Sequence, residues 1–243
     1  MEKPICLDVQ NLKKSYGQHQ VVNDLSFQIH QGEIVGLLGP NGAGKTTAFY
    51  MTIGLIRADA GKVYFNGVDV TSLPIHKRAQ MGMGYLAQEP SVFRSLTVEQ
   101  NILCILESIK LSRAERFRRL DELLNELNLT SLAKKKASTL SGGERRRLEI
   151  TRALVTNPTF LLLDEPFANI DPISVQELKQ LINILAQKNI SILITDHNAR
   201  EIFSVVNRSY LIFEGKVLLS GTPQDLLNNE TAKLSYFGQD FKI

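Results

Sequence analysis

The sequence predicts an α/β fold with a parallel β-sheet at its core. Four short apolar runs, at residues 34–38, 83–87, 160–163 and 190–194, are typical of strands that are buried on both faces. Between these runs, apolar residues recur at the three- and four-residue spacing of amphipathic helices. Strands and helices that alternate in this way favour a parallel sheet with helices on its faces.

The N-terminal part of the chain predicts a second, small antiparallel sheet. Segments 7–9, 21–29 and 62–65 have the composition of β-strands. Turns are expected at three glycines, Gly17, Gly32 and Gly61. From about residue 93 to 155 the pattern becomes helical, and one apolar stripe there predicts a buried helix face that contains Phe117, Leu120, Leu123, Leu124 and Leu127.

A glycine-rich loop follows the first apolar run and fits the pattern G-x-x-x-x-G-K-[ST] at every fixed position. Its glycines allow a tight turn that points backbone N–H groups at an anion, and a helix expected to begin near Lys45 adds its positive end. Lys45 would bridge the β- and γ-phosphates of a nucleotide, and the Thr46 hydroxyl would reach Mg²⁺. The residues expected around the phosphates are Gly39, Pro40, Asn41, Gly42, Ala43, Gly44, Lys45, Thr46 and Thr47.

Two carboxylates, Asp164 and Glu165, end the third apolar run. Adjacent residues at a strand end point to opposite sides, so the two groups can act differently. Asp164 would hold the metal, and Glu165 would act as general base towards an attacking water. Such a pair alone is more often a strand end that meets solvent, but the phosphate loop earlier in the chain favours the catalytic interpretation.

A second glycine motif, residues 140–144, predicts both a helix start and an anion site. Ser141 and Glu144 fit a capping box, with Ser141 as the N-cap. Such a helix end, with Gly142, Gly143 and a hydroxyl, can itself bind an anion. Because the chain has no second phosphate loop, this motif is expected to close on the γ-phosphate held by a partner copy.

Together these motifs resemble those of the ABC ATPase family, and the resemblance covers nearly the whole chain. It implies a nucleotide-hydrolysing enzyme, with ATP and Mg²⁺ bound. Tyr16 is similar to the family's adenine-stacking aromatic residue, and Gln88 to the glutamine that meets Mg²⁺ and the attacking water. Asp171 resembles an aspartate that crosses the dimer interface, and His197 a histidine that contacts the γ-phosphate.

The same resemblance implies one domain, residues 1–243, that is a P-loop cassette with a RecA-like parallel-sheet core. A helical subdomain with the second glycine motif would occupy residues 91–155. Residues 1–90 and 156–243 would hold the core, the small antiparallel β subdomain and a C-terminal tail. The aromatic tail residues Tyr236, Phe237 and Phe241 are expected to pack back on the domain.

The resemblance also implies partners. Two identical cassettes would act beneath two transmembrane permease subunits, with Phe93 and Arg94 contacting the permease. The chain would be cytoplasmic and peripheral on the inner membrane, since no apolar run approaches the roughly 18 residues of a membrane span and no signal peptide is recognisable. A net charge of +3 does not call for a nucleic-acid partner.

Within the family, three stretches are similar to the ATPase subunits of lipopolysaccharide-export transporters: residues 86–98, 140–147 with 164–175, and 236–243. Ala87, Asn169 and Gln239 depart from that subfamily, which usually has proline, glycine and glutamate there. The alternatives are the ATPase of another transporter, such as a branched-chain amino-acid importer, and a soluble ABC protein of DNA repair or translation.

Three basic clusters lie between the phosphate loop and Asp164, at residues 116–119, 134–136 and 145–147. We expect each to be a solvated helix face or turn, and anionic lipid head groups are the alternative contact. The two cysteines, Cys6 and Cys104, have no spacing that predicts a disulfide framework or a zinc site.

Overall fold

The structure, a computed structural model, describes residues 3–238 of the 243-residue chain. Its strands are β1 (Ile5–Tyr16), β2 (His19–His30), β3 (Ile34–Leu38), β4 (Ala60–Phe65), β5 (Val68–Asp69), β6 (Met83–Leu86), β7 (Phe160–Asp164), β8 (Ser191–Thr195), β9 (Arg208–Phe213) and β10 (Lys216–Gly221). Its α-helices are α1 (Lys45–Ile53), α2 (Ile75–Gln80), α3 (Val98–Leu106), α4 (Arg113–Glu126), α5 (Gly142–Leu154), α6 (Pro172–Gln187), α7 (Ala199–Phe203), α8 (Pro223–Asn228) and α9 (Glu230–Ala232).

The larger sheet has the strand order β10-β9-β3-β8-β7-β6, and every neighbouring pair except β10 and β9 is parallel. The four predicted core strands are therefore confirmed as β3, β6, β7 and β8. The sequence reasoning did not predict β9 and β10, which extend the sheet at one edge. Helices connect the parallel strands, as an α/β fold requires.

The smaller sheet is antiparallel in the order β2-β1-β4-β5, as predicted. The prediction of a turn at Gly61 was wrong, because this residue lies inside β4 with φ of 90°. A Cβ atom there would lie 2.4 Å from the carbonyl oxygen of Asn11, where the pairing of β1 with β4 is irregular. Glycine is needed at this position for close strand approach rather than for a turn.

The two faces of the larger sheet are covered by separate hydrophobic cores. On one face, Val35, Leu37 and Leu193 pack with α1 and the smaller sheet. On the other, Ile34 and Leu38 pack with residues of α3 to α6. All five residues of β3, of β7 and of β8 are buried, because each strand contributes side chains to both cores.

The apolar stripe predicted on α4 is buried except at its N-terminal end. Leu120, Leu123, Leu124 and Leu127 are buried as predicted, but Phe117 is 46% exposed. Placing Phe117 in the core was therefore wrong. The first turns of α4 extend beyond the leucines that the neighbouring helices cover.

The helix after the phosphate loop is held at its far end by a buried arginine. Arg78, on α2, is 2% exposed and donates hydrogen bonds to the carbonyl oxygens of Met51 and Thr52 at 2.9 and 2.5 Å. The positive guanidinium complements the carbonyl end of α1, where a helix leaves its acceptors unpaired. The end of α1 is thereby joined to α2.

The C-terminal segment packs on the core as far as the structure describes it. The rings of Tyr236 and Phe237 lie 4.9 Å apart, and Phe237 lies 5.4 Å from Phe203 of α7. This agrees with the expected packing of the tail, although Gln239 and Phe241 lie outside the described residues. Among residues 3–238, no helix has the length and apolar character needed to cross a membrane.

Candidate functional site

The phosphate loop joins β3 to α1 through a backbone that only glycine accommodates at two points. Gly39 has φ of 146°, and a Cβ atom there would lie 2.1 Å from the carbonyl oxygen of Ile212. Gly44 has φ of 96°, and its Cβ would lie 2.6 Å from the carbonyl oxygen of Val21. Gly44 is also the N-cap of α1, and no side chain caps the helix. The first N–H groups of α1 are thus left for an anion.

Lys45 folds back over this loop. Its ammonium group donates to the carbonyl oxygens of Gly39 at 2.6 Å and Pro40 at 2.9 Å. Burial lowers the pKa of Lys45, and the nearby charge of Glu165 opposes that shift. A half-buried ammonium that is bonded only to carbonyl oxygens lacks a full counter-charge, which an oxyanion would supply.

A cleft of about 170 Å³ brings the loop together with three residues from later in the chain, Glu165, Thr195 and His197. Glu165 and His197 line it opposite the loop. The other lining residues are Val21, Asn41, Gly42, Ala43, Gly44, Lys45, Thr46, Thr47 and Thr195. Val21 and Thr195 were not predicted, since neither stands out from an ordinary strand residue in the sequence. Tyr16 does not line this cleft and has a half-exposed ring at the end of β1.

Asp164 and Glu165 occupy different environments at the end of β7. Asp164 is 2% exposed, and its Oδ2 atom has no hydrogen-bond partner among the described residues. Burial, and secondarily the charge of Glu165, raises the pKa of Asp164 to about 6. An orphaned carboxylate oxygen of this kind, with the Thr46 hydroxyl in the adjoining loop, fits a cation such as Mg²⁺ that prefers oxygen ligands.

The Glu165 carboxylate is the point where two other predicted residues meet. Its Oε2 atom accepts a hydrogen bond from the Gln88 side-chain amide at 2.7 Å and lies 3.4 Å from Nδ1 of His197. The backbone of Glu165 has φ of 44°, which is uncommon for a residue with a side chain, and its N–H donates to the carbonyl oxygen of Thr195 at 2.7 Å. The carboxyl ends of β6, β7 and β8 therefore supply one connected group.

A buried aspartate that the sequence reasoning did not single out orders this edge. Asp196 is 1% exposed and accepts hydrogen bonds from the backbone N–H groups of Phe167, at 3.2 Å, and Asn198, at 2.9 Å. Burial raises the pKa of Asp196. Its carboxylate connects the loop after β7 to the loop after β8, and these loops carry Glu165 and His197.

The second glycine motif begins α5 as predicted. The Ser141 hydroxyl accepts from the N–H of Glu144 at 3.2 Å, and the Glu144 carboxylate accepts from the N–H of Ser141 at 2.8 Å, which confirms the capping box. Gly142 is exposed, whereas a Cβ atom on Gly143 would lie 2.1 Å from the Ser174 hydroxyl oxygen on α6. Gly143 therefore allows α5 and α6 to pack closely.

Within the single chain, the Ser141 motif does not line the phosphate-loop cleft. Gly142 instead lines a separate cavity of about 130 Å³ together with Gln88 and Asn169. Asp171 is exposed and caps α6, and its carboxylate accepts from the N–H of Ser174 at 3.0 Å and from the Ser174 hydroxyl at 2.6 Å. Ser141 and Asp171 thus lie on helix starts whose helices pack together at Gly143 and Ser174.

The segment that carries Phe93 and Arg94 is fixed by a buried asparagine. Asn101 is 0% exposed, and its side chain accepts from the N–H of Phe93 at 2.8 Å and donates to its carbonyl oxygen at 3.0 Å. Phe93 is 49% exposed, and the guanidinium carbon of Arg152 lies 4.8 Å from its ring centre. Arg94 is exposed. Asn101 was not predicted, although it follows Val98 and precedes Ile102 on the buried face of α3.

The expectation that residues 145–147 form a solvated helix face was wrong for Arg146. Arg146 is 7% exposed, and it pairs with Glu149 at 2.8 Å, itself 4% exposed. Its guanidinium also donates to the carbonyl oxygens of Ala87 at 2.9 Å, Asp164 at 3.2 Å and Glu165 at 3.4 Å. It is buried because α5 faces β6 and β7 at this turn. Arg146 thus ties α5 to the residue before Gln88 and to the backbone of both carboxylates.

We expect replacement of Arg146 by alanine to lower the free energy of unfolding by about 3–5 kcal/mol, because Glu149 would remain buried without its partner. Arg145→Ala is the matched control and should cost less than about 1 kcal/mol, since Arg145 is only partly buried. Denaturant titration of the two variants measures the difference. An equal loss of unfolding free energy in the two variants would show that the buried hydrogen bonds of Arg146 do not stabilise the fold.

We expect Asp164→Asn to stabilise the ligand-free protein near neutral pH. The raised pKa means that ionised Asp164 opposes folding, so its contribution becomes unfavourable as pH rises from about 4 to about 6 and stays so above. The gain in the free energy of unfolding should be about 3 kcal/mol near pH 7 and vanish near pH 4. Denaturant titrations with a chelator present measure it, with the exposed Asp121→Asn as control. If Asp164→Asn is no more stable than the wild type near pH 7, ionised Asp164 does not oppose folding.

Comparisons with known proteins identify the family of the chain. A family model described as "ABC transporter" matches residues 22–168. The chain is 52% identical over 237 residues to the lipopolysaccharide export system ATP-binding protein LptB of Acidithiobacillus ferridurans, with 98% of each chain covered. It is 50% identical to the protein of the same name from Haemophilus influenzae, with 98% of this chain and 99% of the relative covered.

A solved structure gives the same result for the fold. The ADP conformation of MJ1267, an ATP-binding cassette of an ABC transporter, superimposes with a TM-score of 0.88 at 26% identity. The match covers 98% of this chain and 100% of that one. With the phosphate loop, the paired carboxylates and the capped glycine motif in place, the chain therefore belongs to the ABC transporter family as an ATP-binding subunit, an ATPase.

Proposed function

We propose that this ATPase drives lipopolysaccharide export, extracting the lipid from the inner membrane towards the outer membrane. The observation that carries the proposal is the identity of about half of all positions, over nearly the full length, with relatives named as the ATP-binding protein of that system. The stretches at residues 86–98 and 164–175 support the same assignment from the sequence. The transported molecule would be a lipid, and we propose no nucleic-acid partner.

For hydrolysis, we assign the binding of ATP to the phosphate loop. The ammonium of Lys45, now bonded to two carbonyl oxygens, would exchange them for β- and γ-phosphate oxygens. The N–H groups at the start of α1 and residues 39–47 would surround the phosphates, and Tyr16 would stack on adenine from the end of β1. Thr46, Asp164 and Gln88 would hold Mg²⁺, which supplies charge neutralisation on the phosphates when bound.

We assign the general base to Glu165. Its carboxylate would take the proton of a water molecule whose oxygen attacks the γ-phosphorus, while the bond to the bridging oxygen of ADP breaks. Gln88 and His197 already contact the same carboxylate oxygen, so they are placed to orient Glu165 and the water. Because Gln88 and His197 both contact Oε2 of Glu165, the other carboxylate oxygen would be left for the water.

We propose that the complete site needs two copies of the chain. Ser141, Gly142, Gly143 and Glu144 begin a helix that does not reach the chain's own cleft, so they would meet the γ-phosphate of a second copy, with Asp171 crossing between copies. Residues 91–155 would move as a helical subdomain relative to the remaining residues, 1–90 and 156–243. Two permease subunits would anchor the dimer on the cytoplasmic face of the inner membrane.

We expect Glu165→Gln to retain ATP binding but to lower hydrolysis by roughly 10²–10⁴-fold, the usual contribution of a general base. The variant should also accumulate as an ATP-bound dimer, because closure of the two copies precedes cleavage. Steady-state phosphate release and light scattering with ATP measure the two effects. Glu122→Gln, a change at an exposed carboxylate on α4, is the control. If Glu165→Gln hydrolyses ATP at a near-normal rate, Glu165 is not the general base.

We expect the export function to be testable by identifying the proteins and the lipid that copurify with the chain. Purified from detergent-solubilised membrane, the wild type should bring down two permease subunits and lipopolysaccharide, identified by mass spectrometry. Phe93→Ala should lose this association yet keep the hydrolysis rate of the free subunit, because the exposed ring would bury apolar area worth about 1.5–3 kcal/mol against the permease.

Val68→Ala is the control for this experiment, since Val68 is 51% exposed, close to the 49% of Phe93, but lies on the small sheet. Recovery of an amino-acid permease with the wild type would overturn the export assignment while leaving the ATPase assignment intact. Unchanged recovery with Phe93→Ala would overturn only the docking role.

A further inference from the structure

The N-terminal end of α4 and the residues before it form a basic surface with an exposed aromatic side chain at its centre. Between positions 110 and 119 the chain has five basic residues and one acidic residue. We call Lys110, Arg113, Arg116, Phe117 and Arg118 the α4 basic patch. Lys110, Arg113 and Arg118 are exposed, and Phe117 is 46% exposed.

The patch keeps a net positive charge within the described part of the chain, although Glu115 partly offsets the charge of Arg118. Glu115, its acidic residue, is engaged in the capping box of α4, where its carboxylate accepts from the N–H of Ser112 at 2.8 Å. None of the four basic residues of the patch forms an ion pair with another residue between 3 and 238. Arg119, just outside the patch, pairs with Glu122 at 3.2 Å.

The apolar component of the patch continues the buried face of α4. Phe117 precedes Leu120 by three residues and Leu124 by seven, so it lies on the same helical stripe but beyond the cover of the core. Arg113 lies one turn before it, with its guanidinium carbon 5.9 Å from the ring centre. An aromatic ring flanked by arginines on a helix end is the arrangement that favours a membrane interface.

We propose that the α4 basic patch binds anionic lipid head groups directly, as a second membrane contact besides the permease. The occupant is assigned by charge, because several unpaired cations around one half-exposed ring complement a surface of spread negative charge. Each basic residue near such a surface contributes about a fivefold increase in affinity, weakened by salt. The proposal rests on the membrane location in the proposed function, but not on the exported lipid or on ATP hydrolysis.

Vesicle flotation of the full chain without nucleotide tests the proposal. The wild type should float with vesicles of phosphatidylcholine and phosphatidylglycerol, but not with phosphatidylcholine alone, and binding should fall with added salt. The triple variant Lys110→Gln, Arg113→Gln, Arg118→Gln should bind at least roughly tenfold more weakly. Phe117→Ser should also weaken binding, because the ring no longer enters the head-group layer.

Two control variants distinguish binding by this particular surface from effects of total net charge and of exposed apolar side chains elsewhere. Lys134→Gln, Lys135→Gln, Lys136→Gln removes the same charge from another exposed cluster, and Ile184→Ser changes a residue that is also 46% exposed. Both should float like the wild type. Equal losses in the control variants, or no flotation of the wild type with anionic vesicles, would overturn the proposal.

Hydrolysis measured on the same preparations should be unchanged in all four variants. If the triple variant no longer recovers the permease and the wild type does not bind vesicles, the patch contacts a protein. That result would also overturn the lipid assignment. Because flotation is measured without ATP and without the permease, its failure leaves the results on Glu165 and on the copurified lipid untouched.

Discussion

The arrangement of the ATP site depends on the burial of β3, β7 and β8 from both sides of one sheet. Each of these strands places alternate side chains into two hydrophobic cores, so a shift of one residue would turn every side chain into the opposite core, among neighbours whose shape it does not match. A side chain that does not fit a well-packed core costs about 1–3 kcal/mol, which makes such a shift unfavourable. Parallel strands fixed in this way end at the same edge, and ligands of open α/β sheets bind at that edge.

The edge alone would not hold the site, because loops that follow strands have few interactions of their own. Here buried charged groups supply the missing interactions. The Asp196 carboxylate joins the loops after β7 and β8, and the Arg146 guanidinium joins the carbonyl oxygens of Ala87, Asp164 and Glu165 to α5. Any movement of α5 must therefore act on the backbone of Glu165 or break bonds of a buried cation. This gives a physical route between Ser141, at the start of α5, and Glu165.

The sequence predicted the residues that line the cleft better than the residues that hold the cleft together. Motifs such as residues 39–47 are contiguous, and they follow apolar runs that can be recognised as strands. Arg146 was misjudged because the carbonyl oxygens that accept its hydrogen bonds, among them those of Ala87 and Glu165, belong to other segments of the chain. A signal was present, since Arg146 stands between Gly143 and Ile150 on the buried stripe of α5. The strand β10 was missed because it alternates between exposed and partly buried residues, which is a weak pattern. The strand β9 did offer a signal, the apolar run at residues 210–213, which was overlooked.

The cleft combines three features that each oppose folding of the ligand-free chain. Asp164 is buried with an unpartnered oxygen, Lys45 has only carbonyl partners, and Glu165 takes a left-handed backbone that costs about 1–2 kcal/mol in a residue with a side chain. The first two lack counter-charges of opposite sign, which a triphosphate and a divalent cation would supply together. Binding of either ligand alone satisfies only one of them. The same electrostatic features that oppose folding would therefore favour joint binding of a nucleotide and a divalent cation.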